Sequence, residues 1–335
     1  MKYLPTLSLL LTAGIAFSQP VRLEHLPKQN RVEVTVSGRP FTAYYFPGPD
    51  LIRKPVLYPV YSPQGSILTR GWPLDPRTGE RVDHPHHIGI WFNYEDVNGN
   101  DFWNNSVQAS RPGKNMGTIL GTRVLQIRSG DRQGELLTTS NWVDHAGNRL
   151  ITDTTRIVFG VADPQVYTID YEISLHALED IRFRDVKDGM FAFRVARELE
   201  LPYDNEQELI GEDGKISKRK DKHNVTGSYR NRQGIRDDDA WGKPSEWCAL
   251  TGRIGNDDIT IAILDHPANV GYPAYFHARG YGLFSLNSLG RNAFDKSKPP
   301  LDFQLPHGRS ILFRYRVIIA SRILSDQEID ALVNR

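Results

Sequence analysis

The chain has 335 residues, and 41 Lys and Arg against 40 Asp and Glu leave a net charge of +1. Near-neutrality removes any chain-wide electrostatic reason to favour nucleic acid or an anionic membrane. The single cysteine, Cys248, excludes an intramolecular disulfide, so stability has to come from a core, for which 39% hydrophobic and 10% aromatic residues supply material.

The chain opens with Lys2 ahead of an apolar run from Leu4 to Phe17, and Ala16-Phe17-Ser18 places small residues where a signal peptidase reads. This predicts a cleaved signal peptide over residues 1–18, a mature chain starting at Gln19 and a periplasmic or secreted location. An apolar run of roughly 14 residues is short of the ~20 needed to cross a bilayer. No later stretch is long enough, so no membrane span is expected after cleavage.

Runs rich in β-branched and aromatic residues follow at Arg31 to Val36, Gly117 to Ile127, Glu135 to Val143, Leu150 to Phe159, Gln165 to Leu175, Ile259 to Leu264 and Ser310 to Ala320. Most alternate polar with apolar residues, as half-buried strands do. In Val166 to His176 the alternation predicts a dry face of Tyr167, Ile169, Tyr171, Ile173 and Leu175. Turn clusters such as Asn98-Gly99-Asn100-Asp101 and Gly255-Asn256-Asp257-Asp258 separate the runs. The stretch at about 204–239 is polar and reads as a long surface insertion that could cover a site. One amphipathic helix is predicted at the end, with Ser325 as N-cap and Glu328 completing a capping box. Strands without βα alternation predict an all-β fold, a large antiparallel β-sandwich with few short helices, as a single domain over 19–335. No glycine-rich nucleotide loop appears.

The sharpest chemical signal is Asp83-His84-Pro85-His86-His87, which places three of the chain's ten histidines within four positions. Pro85 favours an extended His84, and strand alternation would then put His84 and His86 on one side and His87 on the other. Such imidazoles can share acid/base work near neutral pH or bind a metal. A second cluster, Asp265-His266-Pro267-Ala268-Asn269 with Tyr275, His277 and Arg279, mixes polar groups with aromatic rings. Aromatic faces stack on the CH face of a sugar, and Asn, Asp, His and Arg match its hydroxyls. Asn98, Asp101 and Trp103, Lys187, Asp188 and Arg194, and Trp241 are further candidates.

Together His84-Pro-His-His-Ile-Gly-Ile-Trp-Phe92, Asp96 to Trp103, Asp188-Gly-Met-Phe-Ala-Phe-Arg-Val-Ala196, Asp265 to Pro273 and Phe276 to Phe284 resemble the PmoA-like family of exported bacterial proteins. The resemblance spans roughly residues 30 to 320. It implies a fold similar to the supersandwich of galactose mutarotase-like proteins and a setting among carbohydrate-processing functions. The label methane oxygenase attached to that family does not suit a chain without spanning helices. Phe276 stands before His277 where the family often has Trp, and Lys187-Asp188 where Glu or His commonly precedes the glycine.

These readings converge on an exported carbohydrate-active enzyme, a hydrolase, lyase or epimerase. His86, His87, His277 and Asp265 are the candidate catalytic groups, and His84, Asn98, Asp101, Trp103, Lys187, Arg194, Trp241, His266, Asn269, Tyr275 and Arg279 are candidates to hold the sugar. No cofactor is expected. The alternatives are a metal-dependent enzyme with a divalent ion on His84, His86 and His277, and a non-catalytic sugar-binding protein.

Overall fold

The computed structural model describes residues 20–108, 112–221 and 224–333. The predicted signal peptide lies outside the described residues. β1 (Val21–Leu26), β2 (Arg31–Val36), β3 (Arg39–Tyr45), β4 (Val56–Val60) and β5 (Ile90–Tyr94) run as antiparallel neighbours and open a first sheet. β6 (Thr118–Arg128), β7 (Gln133–Val143), β8 (Arg149–Asp163) and β9 (Val166–Ala177) form a meander in a second sheet. After the short β10 (Ile181–Phe183), β11 (Gly189–Arg194) returns to the first sheet beside β5.

β12 (Gln207–Ile210) and β13 (Ile216–Arg219) make a separate hairpin, and β14 (Ser228–Asn231), β15 (Trp247–Ile254) and β16 (Asp257–Asp265) extend the second sheet. β17 (Tyr275–Ala278) and β18 (Leu283–Asn287) complete the first, with β18 against β11. After the single-turn α1 (Arg291–Phe294), β19 (Phe303–Leu305) pairs with β10, and β20 (Ser310–Ala320) inserts between β16 and β9 before α2 (Asp326–Val333). The result is two eight-stranded antiparallel sheets among the described residues, the all-β sandwich that the strand spacing predicts. None of the described helices is long and apolar enough to cross a membrane.

The core follows from alternation. Tyr167, Ile169, Tyr171, Ile173 and Leu175 of β9 are all buried and face Phe191 and its neighbours on the first sheet. Phe191 stacks on Tyr315 at 4.8 Å, and Phe92 meets Trp142 edge-on at 6.1 Å. Each such ring contributes about 1.5–3 kcal/mol by leaving water. On the far side of the second sheet, Ile329 of α2 packs among Val166, Trp247 and Leu264. The predicted capping box holds this helix: Ser325 N donates to Glu328 Oε2 at 2.8 Å, and Glu328 N donates to Ser325 Oγ at 3.3 Å.

The polar stretch at about 204–239 departs from its reading as a surface loop, because it holds β12, β13 and β14 and the 3-10 turn Asp237–Ala240. Its few apolar residues are placed to be used: Leu209, Tyr229 and Ala240 are fully buried. Apart from the fully buried Asn231, most polar residues of the stretch are at least partly exposed and dominate the composition, which hides the strands.

Candidate functional site

The outer face of the first sheet carries a row fixed by strand register. Trp91 on β5 opposes Ala192 on β11, Ala192 opposes Ser285 on β18, and Ser285 opposes His277 on β17. Opposed residues of antiparallel strands share a face, so two small side chains lie between an indole and an imidazole. At about 4.8 Å per strand, Trp91 and His277 are separated by roughly 14 Å at their Cα atoms. The alternate residues Phe92, Phe191, Phe284 and Phe276 point the other way, into the core.

The histidine motif stands at the Trp91 end of this row. It forms a turn instead of an extended strand: His87 N donates to His84 O at 2.9 Å, and His84 takes a left-handed φ of 43°. The cause is Arg70, whose buried guanidinium donates to the carbonyls of Asp83 (2.7 Å), His84 (2.9 Å) and His87 (3.1 Å). Three carbonyls converging on one cation cannot belong to an extended chain. The turn ends at Gly89, with φ of +62°, where a Cβ would sit 2.1 Å from Leu57 O, so only glycine starts β5 at this point.

The turn gathers all three imidazoles, correcting the expectation that alternation would separate them. His84 is parallel to His87 at 4.8 Å and to Tyr281 at 5.0 Å, and His86 meets His87 edge-on at 4.3 Å. Arg194 Nη1 lies 3.3 Å from His87 Nδ1. Arginine can only donate, so Nδ1 accepts and the proton of neutral His87 sits on Nε2. That Nε2 is buried without a hydrogen-bond partner among the described residues. Burial, followed by His86 and Arg194, holds the His87 pKa well below the usual range.

From this turn, contacts run on both sides of the row. His87 meets Trp103 at 5.7 Å, Trp103 meets Trp91 at 5.3 Å, and Lys54 Nζ lies 5.0 Å over Trp91 while donating to His86 O at 2.6 Å. Lys54 and Glu95 both lie in the field of Asp101, and Glu95 also in that of Asp188. Asp188 Oδ1 is 3.6 Å from His277 Nδ1. Trp241 lies edge-on to His277 at 6.2 Å, and the Arg279 guanidinium sits 5.6 Å from Trp241 and 5.7 Å from Tyr281, which returns to His84. Trp91 and His277 end the row, the small Ala192 and Ser285 between them are fully buried, Ala192 within a hydrophobic cluster with Trp91 and Trp103, and the groups named above rim the row.

The groups on this rim have unusual proton affinities. Burial, with Asp188 and Asp101 adding to it, pushes the Glu95 carboxyl up to about 7. Burial pulls the Lys54 ammonium down to about 7 against the opposing effect of Asp101. His277 is pulled down to about 4 by burial, which Asp188 only partly offsets, and its Nδ1 has no hydrogen-bond partner among the described residues. Asp83 behaves oppositely: burial would raise it, but Arg194 and Arg70 hold it well below the carboxylate range. Beside the rim, a cleft of about 430 Å³ is lined by Arg81, Tyr203, Asp238, Trp241, Arg279 and Tyr281, among others.

The structure brings His84, His86, His87, Asp101, Trp103, Lys187, Arg194, Trp241, His277 and Arg279 to this region with differing exposure. Trp103 is buried behind His87 and so backs the site; it is no open sugar platform. Arg194 is fully buried, ties Asp83 to His87 and acts through them. Lys187 is half exposed and paired with Asp188 at 2.6 Å. Tyr275 stacks on Phe294 at 5.6 Å beside the His277 end.

Four predicted residues stand elsewhere. The Asp265 carboxylate accepts from His266 N, Ala274 N and Asn269 Nδ2, and Asn269 also bonds the Arg314 backbone, so both are tied up in shaping the 266–274 loop. The exposed His266 accepts from Ala268 N and lies near Glu172 and Arg314 of the second sheet. Asn98 binds Glu179, Asp180 and Arg182 at a surface turn. The proposed ion site of His84, His86 and His277 does not assemble, since His277 stands at the opposite end of the row. No three His, Cys, Asp or Glu side chains group as metal ligands among the described residues. Lys54, Arg70, Glu95 and Tyr281 join the site without any local sequence signal.

Fold and site define an antiparallel β-sandwich protein that gathers titratable and aromatic side chains on the outer face of one sheet, with a cleft at Trp241, Arg279 and Tyr281 beside them. The chain belongs to the family described as Family of unknown function (DUF6807), which matches residues 31–334. This corrects the resemblance to the PmoA-like family: the motifs lie within a DUF6807 match, and nothing supports the methane oxygenase label. No curated protein matches the sequence. Among solved structures, the GalM/aldose epimerase homologue from C. elegans is similar with a TM-score of 0.30 and 8% identity, over 88% of this chain and 97% of that chain. A likeness at that level does not bear on what this chain does.

Proposed function

We propose that the protein, exported to the periplasm or beyond, binds a carbohydrate in the cleft at Trp241, Arg279 and Tyr281, beside His277, and catalyses an acid/base reaction on it. The observation that carries this reading is the facing pair Asp188 Oδ1 and His277 Nδ1, 3.6 Å apart with no hydrogen bond joining them. A sugar hydroxyl placed there can hydrogen-bond to one of these two acceptors, which then takes its proton as general base. The half-buried Trp241 supplies a ring face for the sugar. Glu95, with a pKa near 7, is poised to take or return a proton at neutral pH. Hydrolysis, elimination and epimerisation all need such a pair.

Purified wild type, His277→Ala and Asp188→Asn are to be incubated with a panel of mono- and oligosaccharides, with NMR detecting released, unsaturated or epimerised products. Each variant is expected to lose on the order of a hundredfold in turnover while still binding the sugar. Turnover equal to wild type in both variants rejects the assignment.

A further inference from the structure

Resting on that reading, we infer that the sugar carries an oxyanion, a uronate carboxylate or a sulfate ester, and that Arg279 recognises it. The surrounding arginines are already committed. Arg70 and Arg194 bind Asp83 at 2.5 and 2.6 Å, and Arg81 binds Glu200 at 2.6 Å. Arg279 differs, since no carboxylate lies within 4 Å of its guanidinium among the described residues, and its backbone alone is hydrogen-bonded. Asp238, which lines the same cleft, is not paired with it.

The exposed Arg279 guanidinium is held against the rings of Trp241 and Tyr281 at 5.6 and 5.7 Å. Two aromatic contacts fix the direction of the fork while leaving its N–H groups for a ligand. A planar fork with five donors matches a carboxylate or sulfate in a bidentate manner, which a neutral hydroxyl cannot do. Trp241 is also the ring that would stack on the sugar, while Tyr281, itself stacked on His84, borders the same cleft. An anion on Arg279 therefore places the adjoining pyranose over the rim that leads to His277 on the Trp241 side.

Calorimetric titration of the full-length mature protein with oligogalacturonate, a sulfated galactan oligosaccharide and neutral galacto-oligosaccharide of equal length tests this. Wild type should prefer one or both anionic ligands by on the order of tenfold or more, and raised salt should shrink the preference. Arg279→Gln should reduce the anionic-to-neutral affinity ratio towards one, while Arg279→Lys keeps part of it. The carboxylate and sulfate arms identify which oxyanion fits. Equal binding of neutral and anionic sugars by wild type, or a ratio untouched in a folded Arg279→Gln, overturns the inference and leaves the acid/base reading standing. Failure of every sugar to bind overturns both.

Discussion

Arg194 Nη1 points at Nδ1 of His87 from 3.3 Å, and this contact decides which nitrogen of the imidazole holds its proton. A donor-only guanidinium cannot face an N–H, so Nδ1 is bare and Nε2 carries hydrogen. Burial and the neighbouring His86 and Arg194 then keep the ring from gaining a second proton. Nitrogen NMR of the His87 ring should show one protonated and one unprotonated nitrogen throughout pH 5 to 9, a range on the order of two units either side of neutrality. An imidazolium signature at the acidic end contradicts the assignment of His87 as a fixed donor.

Arg70 organises the turn on which that geometry depends. Arg70→Leu leaves the Asp83, His84 and His87 carbonyls and the Asp83 carboxylate without their shared partner. Breaking a buried pair of this kind costs about 3–5 kcal/mol. Urea unfolding should show that loss, and the surviving folded protein should lose turnover, because Arg70 is the group that binds three carbonyls of the turn in which His84 holds φ at 43°. A cost under about 1 kcal/mol sinks this account of the turn.

Much of the sandwich was legible because alternation is a local property. β2 and β20 coincide with the runs Arg31 to Val36 and Ser310 to Ala320. The dry face of β9 follows directly from its every-second-residue pattern, and the α2 capping box from four adjacent residues. The site was only partly legible. Histidine density revealed the 84–87 cluster, but its turn depends on Arg70, fourteen residues from His84 and unremarkable in its own context. Lys54 and Glu95 acquire their proton affinities from burial and from distant carboxylates, which no local window contains. Asp265 misled for the same reason: an Asp-His-Pro triplet looks alike whether its carboxylate faces a ligand or the backbone of its own loop.

Asp265 accordingly separates stability from chemistry. The three hydrogen bonds to its carboxylate come from N–H donors of the 266–274 loop, and burial raises its pKa to about 6. Asp265→Asn turns one acceptor into a donor facing donors, which should cost about 1–3 kcal/mol in unfolding free energy. Turnover per folded molecule should stay near wild type. A stable variant with turnover reduced a hundredfold or more, on the order expected for a general acid or base, returns Asp265 to the catalytic set.

Trp241 joins the Arg279 guanidinium to the His277 ring and is only half-buried. Trp241→Ala should therefore weaken sugar binding more than it weakens the fold. A lost aromatic platform is worth about 0.5–1.5 kcal/mol beyond area burial, which predicts a several-fold to tenfold rise in dissociation constant. Calorimetry gives the affinity and thermal unfolding the stability. An unchanged dissociation constant places the sugar away from this ring.

Glu95 gives the site a pH signature whose sign follows from its raised pKa. Burial, Asp188 and Asp101 lift it from 4.5 to about 7 in the folded protein. Between those values the folded chain keeps a proton that the unfolded chain has released, so the folded state is favoured most below 4.5 and loses that advantage as pH rises through 7. His277 acts in the opposite sense: lowered from 6.5 to about 4, it contributes above 6.5 and ceases to contribute as pH falls through 4. Stability measured against pH should thus change slope on both sides of the interval, and Glu95→Gln should remove the decline near 7 while leaving the acid limb. The turnover profile of wild type should show a limb near 7 that the same variant abolishes. If Glu95→Gln leaves both profiles unaltered, Glu95 is not the neutral-range titrating group of the site.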